Sequence, residues 1–98
     1  GSMGSSSYIV EGLGNPESFC SCSHGAGRAL SRTAAKRTLN MSEEVKRLNA
    51  LGIVHSIRSQ DDMQEATGAY KDIGQVLACE HDLVKIKTKL LPIAVIKG

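Results

Sequence analysis

The stretch Cys20-Ser-Cys-Ser-His-Gly-Ala-Gly-Arg28 does most to narrow the folds open to this chain. Cys20, Cys22 and His24 alternate with Ser21 and Ser23 from Phe19 onward, the period of a strand, which places both thiols and the imidazole on one face. Gly25 ends that strand. From Ala26 to Leu39 the residues are mainly Ala, Arg, Lys and Leu, with Arg28, Arg32 and Lys36 four apart, so a helix with one cationic stripe is expected. A strand that passes through a glycine turn into a helix, in only 98 residues, implies an α/β or mixed α+β fold around a single core. Residues 1–98 therefore read as one domain, and a machine with separate catalytic and regulatory modules is excluded.

The remaining elements follow from period and punctuation. Tyr8-Ile9-Val10 is a short strand that runs into the turn residues Gly14-Asn15-Pro16. Asn40 stops the first helix, and Ser42 with Glu43 and Glu44 starts a second that runs to about Ala50 and is closed by Gly52. Ile53 to Ile57 alternates as a strand, Asp61 to Ala66 makes a helical turn, and Asp72 to His81 carries apolar residues at helical spacing. After Asp82 the period returns to two: Lys85, Lys87 and Lys89 alternate with Val84, Ile86 and Thr88, the pattern of an edge strand with one wet face. A last strand, Ile93 to Ile96, follows Pro92. The expectation is short strands with three helices.

Composition excludes several classes. The longest apolar run, Leu90 to Ile96, contains Pro92 and is far too short to span a bilayer, so a soluble protein without membrane partners is expected. Three cysteines are an odd count that favours a reducing, cytoplasmic setting over a disulfide scaffold. A net charge of +2 is too small to announce a nucleic-acid binder. The start shows no cationic region followed by an apolar one, and Gly1-Ser2-Met3-Gly4 reads either as a tag remnant or as native sequence.

Chemistry concentrates around His24. Gly25 and Gly27 let the backbone approach a ligand, and the free N–H groups of a helix start favour a phosphate. A neutral His24 imidazole beside such a site can attack phosphorus and give a phosphoramidate, with Arg28 close by to neutralise developing charge. The plainer alternative is a tight turn with a hydrogen-bonded histidine. Cys20, Cys22 and His24 also offer a soft donor trio of the kind zinc or copper prefers, although two cysteines buried in a strand are the expected arrangement.

The string Ser21-Cys-Ser-His-Gly-Ala-Gly-Arg-Ala-Leu-Ser-Arg-Thr-Ala-Ala-Lys36 closely resembles the signature of the RtcB family of RNA-splicing ligases. Further matches fall in the same order: Gly1-Ser-Met-Gly4 with Ser7-Tyr-Ile-Val10, Ala69-Tyr-Lys-Asp72, and Val95-Ile-Lys-Gly98. The resemblance covers essentially the whole chain and implies a partial fold of that family, equivalent to its C-terminal segment. It implies an enzyme that joins an RNA 3′-phosphate or 2′,3′-cyclic phosphate end to a 5′-hydroxyl end, as in tRNA splicing and RNA repair, consuming GTP with Mn²⁺. His24 would be the residue that is guanylylated. Ser2 and Ser7 would contact the guanine, Tyr70 would stack on it, Lys97 would hydrogen-bond to it, and Gly25, Ala26 and Gly27 would cradle the phosphate. Arg28, Arg32 and Lys36 would hold RNA phosphates.

Family members run to several hundred residues, and their manganese ligands lie upstream of the part resembled here. No metal ligands are therefore assigned in this chain, and the 98 residues alone are expected to be inactive. The rival reading is a non-catalytic truncated remnant that binds nucleotide or another subunit. Removing the upstream part of the fold uncovers apolar surface, so a homo-oligomer is expected for such a fragment.

Overall fold

Capping side chains decide where the helices begin. The computed structural model describes residues 1–97, and its regular elements are β1 (Ser7–Gly12), α1 (Arg32–Thr38), α2 (Met41–Ala50), β2 (Val54–His55), α3 (Ile73–Cys79), β3 (Val84–Leu90) and β4 (Ala94–Val95). Short 3-10 turns occupy Pro16–Ser18, Gln60–Glu65 and Thr67–Ala69. The Ser31 hydroxyl accepts the Ala34 N–H at 3.1 Å to open α1, and the Asn40 side chain accepts the Glu43 N–H at 3.1 Å to open α2. Asp72 takes the Gly74 and Gln75 N–H groups to open α3. Gly52, at φ +71°, supplies the left-handed residue that turns the chain out of α2.

Two small sheets complete the mixed α/β fold. β1 pairs antiparallel with β3, Tyr8 opposite Lys89 and Glu11 opposite Lys85. Ile9 faces Thr88 while Val10 faces Ile86, so Lys87 is the extra residue of a β-bulge, and its ammonium reaches the Glu11 carboxylate at 2.8 Å. β2 and β4 pair in parallel over two residues each. The buried centre is Met3, Leu48 and Ile53, with Ile57 and Val95 partly buried against it. Behind it Gly68 passes so close that a Cβ would meet a Glu44 carboxylate oxygen at 2.8 Å and a Leu39 methyl at 2.9 Å. A larger residue there would require the ends of the Glu44 and Leu39 side chains to move aside.

This core is small for the length. The Cα radius of gyration is 15.0 Å, whereas a compact domain of this size has about 13 Å. Apolar side chains on both sheets remain exposed, among them Ile86, Leu90 and Val54, as do Leu91, Ile93 and Ile96 around β4.

Several expectations are corrected. Residues 19–24 form no strand: Asn15 caps the turn at Pro16–Ser18, and the Cys20 N–H bonds back to the Asn15 carbonyl at 2.9 Å. Phe19 and Cys20 both sit at φ 55°, which breaks the pleat, and all three cysteines are exposed rather than buried. The helix expected from Ala26 begins only at Arg32, because residues 28–30 pair elsewhere: Ala29 and Leu30 both donate to the Ala69 carbonyl, and Arg28 bridges to Tyr70. Arg28 therefore lies off the helix, so that of the expected stripe Arg32 and Lys36 stand on α1. The strand expected over 84–89 forms, yet everything from Lys85 to Leu90 is exposed, so both faces are wet and not one. The strands expected at 53–57 and 93–96 shrink to the two-residue β2 and β4, and α2 starts at Met41, capped by Asn40, instead of at Ser42.

Candidate active site

His24 stands at the mouth of a cavity of about 450 Å³. Ser7 and Tyr8 of β1 form one wall, Ile73 and Leu77 of α3 the other, and Cys22, His24 and Gly25 of the loop close the side. A second cleft of about 330 Å³ holds Ser2, Tyr70, Lys71 and Asp72, and Ile73 borders both. The fold thus gathers His24, Gly25 and Ser7 at one cavity and Ser2 with Tyr70 at the adjoining one. Ser2 is held by Ser5, whose hydroxyl lies 2.6 Å from the Ser2 nitrogen and 2.9 Å from its hydroxyl.

The glycine turn is fixed from the Tyr70 side. Gly27 sits at φ +75°, and its carbonyl accepts the Lys71 N–H at 3.0 Å. The Lys71 side chain lies alongside, its ammonium 4.0 Å from where a Gly27 Cβ would stand. The turn does not open a helix, so its N–H groups are not a helix terminus, and the cation beside it is Lys71. Lys71 follows directly on Tyr70 in the Ala69-Tyr-Lys-Asp72 motif, which is the sequence signal for it.

Arg28 is turned inward. Its Nε donates to the Leu30 carbonyl at 2.9 Å, Nη1 to the Tyr70 hydroxyl at 3.1 Å, and Nη2 to the Gln64 carbonyl. The guanidinium also lies 4.8 Å from the Tyr70 ring centroid, a cation–π distance. Glu65 completes the cluster: Tyr70 donates to its Oε2 at 2.5 Å, while Arg28 and Arg32 approach its Oε1 at 3.6 and 3.4 Å. The Tyr70 hydrogen bond holds the Glu65 carboxyl below the usual carboxylate range, against burial, with Arg28, Arg32 and Lys97 helping. The same bond, burial and the Glu65 charge push the Tyr70 phenol up, against Arg28. Sequence reasoning missed Glu65, because nothing in the spacing of residues 28, 65 and 70 signals that they meet.

Arg32 and Lys36 are more exposed, and each faces an acid, Glu65 for Arg32 and Asp61 at 3.3 Å for Lys36. Lys97 lines neither cavity; its N–H donates to the Ser56 hydroxyl at 3.0 Å, and its charge is felt at Glu65. Ala26 is half-buried between Gly25 and Gly27. Gly98, which closes the last matched motif, lies outside the described residues.

The imidazole and the Ser7 hydroxyl at one cavity, and the Lys71 ammonium and the Ser2 hydroxyl at the adjoining one, are donors of the kind an anionic ligand accepts. Manganese does not fit in the same way: among the described residues no three His, Cys, Asp or Glu side chains are grouped to hold a metal ion. No step of the chemistry below is therefore assigned to a metal on these residues.

The family model for tRNA-splicing ligase RtcB matches residues 1–98, and the chain belongs to the RtcB family. It is 45% identical over 98 residues to an RNA-splicing ligase RtcB of Escherichia coli (strain K12), covering 100% of this chain and 23% of that protein. The tRNA-splicing ligase RtcB of Nanoarchaeum equitans is 43% identical over 105 aligned residues, covering 100% of this chain and 22% of that protein. The chain thus spans under a quarter of the length of these relatives. Among the described residues no helix is long and apolar enough to cross a membrane.

Proposed function

We propose that the chain is the guanylate-binding segment of an RNA ligase that joins 3′-phosphate or 2′,3′-cyclic phosphate ends to 5′-hydroxyl ends through a His24–GMP intermediate. The observation that carries this reading is the shared position of His24, Gly25 and Ser7 at one cavity, next to the cleft of Ser2 and Tyr70. An imidazole nitrogen of His24 attacks the α-phosphorus of GTP; the N–P bond forms, the bond to the β-phosphate oxygen breaks, and pyrophosphate leaves. A 2′,3′-cyclic end is first opened by water, which adds at phosphorus and breaks the bond to the 2′-oxygen; the RNA 3′-phosphate then takes the guanylyl group from His24, and attack by the 5′-hydroxyl on that 3′-phosphorus expels GMP. Gly27 and Lys71 receive the phosphate charge, and Tyr70 stacks on the base with Ser2, Ser7 and Lys97 as its polar contacts. Arg32 and Lys36, on α1, supply sequence-independent attraction for RNA phosphates. Manganese, held by residues outside this segment, would neutralise charge on the transferring phosphoryl group. Three exposed free thiols suit a reducing cytoplasmic setting.

The test is incubation of a chain of full family length with GTP and Mn²⁺, followed by peptide mass mapping. A GMP adduct on His24, absent from His24→Ala, is the expected result; an adduct on another residue refutes the assignment.

A second reading, a remnant that associates instead of catalysing, is favoured by the exposed Ile86, Leu90, Ile93 and Ile96. Sedimentation of the 98-residue chain should then give a dimer or larger species, and Ile93→Lys with Ile96→Lys should reduce it. A stable monomer at high concentration removes this reading.

A further inference from the structure

Glu80 is a buried carboxylate with no part in the chemistry above. It follows directly on α3, is only 8% exposed, and lines the same cavity as His24. Its Oε1 accepts the Ser23 N–H at 2.7 Å, across 57 positions of sequence. That bond has no substitute nearby. The Ser21 N–H and hydroxyl turn back to the Ser18 carbonyl, and the Ser23 hydroxyl turns to the Gly25 carbonyl. Lys71 takes hold only at Gly27. Among the described residues, the Ser23–Glu80 hydrogen bond is the one that ties residues 22–26 to another element.

A carboxylate is expensive to remove from water unless its oxygens are bonded, and a backbone N–H donated to an ionised acceptor makes a short, strong bond. The geometry therefore couples the burial of Glu80 to the placement of the backbone next to His24. We propose that Glu80 is a positioning residue: it holds the His24 loop against α3 so that the imidazole faces the cavity in attacking geometry. The role rests on the reading of His24 as the nucleophile. What it needs from Glu80 is an acceptor oxygen at that place and not a negative charge, so glutamine should serve and alanine should not.

The experiment uses a chain of full family length, loaded with Mn²⁺, and follows single-turnover labelling of His24 over a range of GTP concentrations. Misplacement of a reacting group by about 1 Å can lower a rate about 100-fold, so Glu80→Ala should lower the maximal labelling rate ~10- to 100-fold. The half-saturating GTP concentration should stay within about twofold, since the tyrosine cleft is not touched, and Glu80→Gln should stay close to wild type. Amide hydrogen exchange supplies a readout independent of nucleotide: the Ser23 N–H should be protected in the wild type and in Glu80→Gln, and exchange about tenfold faster or more in Glu80→Ala. If Glu80→Ala fails to fold, Glu80→Asp, which withdraws the oxygens by one carbon, takes its place with the same expectations. Wild-type labelling by the alanine variant, or unchanged Ser23 exchange in it, overturns the proposal. Slow labelling by Glu80→Gln with Ser23 still protected also overturns it, because the carboxylate would then act through its charge or its proton. A wild-type chain that forms no His24 adduct overturns the nucleophile reading and this role together, which is distinct from equal labelling of the wild type and Glu80→Ala.

Discussion

The two sides of the glycine turn are built differently. Residues 19–26 carry the candidate nucleophile on a loop with two left-handed residues, exposed cysteines and one tie to α3. Residues 27–30 are bound tightly: Gly27, Ala29 and Leu30 bond to the 69–71 backbone, and Arg28 is held by Leu30, Gln64, Tyr70 and Glu65. The contrast places Tyr70 and Arg28 in the firmly bonded part of the site, while His24, the proposed nucleophile, sits on a lightly held arm. A nucleophile that must meet a nucleotide phosphorus and then an RNA phosphate benefits from that division.

The largest expected effect lies on the loop side. In a chain of full family length His24→Ala should abolish the GMP adduct completely, and the isolated 98-residue chain should form none at a useful rate; intact mass after incubation with GTP and Mn²⁺ checks both. A histidine-dependent adduct on the isolated chain would show that this arm needs no support from the rest of the family fold.

On the rigid side, Tyr70→Ala should raise the GTP requirement for labelling. Loss of aromatic stacking is worth about 1–3 kcal/mol, roughly 5- to 150-fold in half-saturating GTP, with the maximal rate less affected. Lys97→Ala, measured with GTP and ATP in parallel, should narrow the preference for GTP, because a donor aimed at the guanine oxygen meets an amino group in adenine. Unchanged nucleotide dependence in both variants would remove the base pocket from this side of the turn.

Stability should separate the two sides next. Arg28→Ala removes charge-assisted bonds and strands Glu65 near a half-buried phenol, which costs about 1.5–3 kcal/mol. Cys22→Ser, on the exposed loop, should change stability by less than about 0.5 kcal/mol. Urea unfolding of the 98-residue chain compares them, and equal midpoints would erase the distinction.

The smallest effect is in pH dependence. The folded Glu65 carboxyl lies below its unfolded value, so its contribution is present above about pH 4.5 and is lost as pH falls through the lowered folded value. The Tyr70 phenol is raised, so its contribution is present below about pH 10 and is lost as pH rises through the raised folded value. Tyr70→Phe should flatten both limbs of the stability profile. Limbs that persist unchanged in that variant would place the titrating groups elsewhere.

Much of the fold was legible locally. The β1 and β3 strands show in Tyr8-Ile9-Val10 and in the alternating lysines, α2 shows in Glu43, Glu44 and the closing Gly52, and α3 in its apolar spacing. The elements around the site were not, and for a physical reason. Cys20, Cys22 and His24 alternate as a strand would, but a strand needs a neighbour to pair its backbone, and here the Asn15 turn takes the Cys20 N–H instead. Ala26 to Leu39 has helical composition throughout, but the Ala69 carbonyl captures Ala29 and Leu30 before a helix can include them.

By itself the sequence determined the mixed α/β class, the family, and the presence of a histidine before a glycine turn, since each depends on residue types at short separations. Only the tertiary structure decided that Arg28 faces Tyr70 and Glu65, that Lys71 lies beside Gly27, and that Glu80 holds Ser23. Those meetings join positions 37 to 57 residues apart, and contacts at such range leave no period or spacing in the chain from which they can be read.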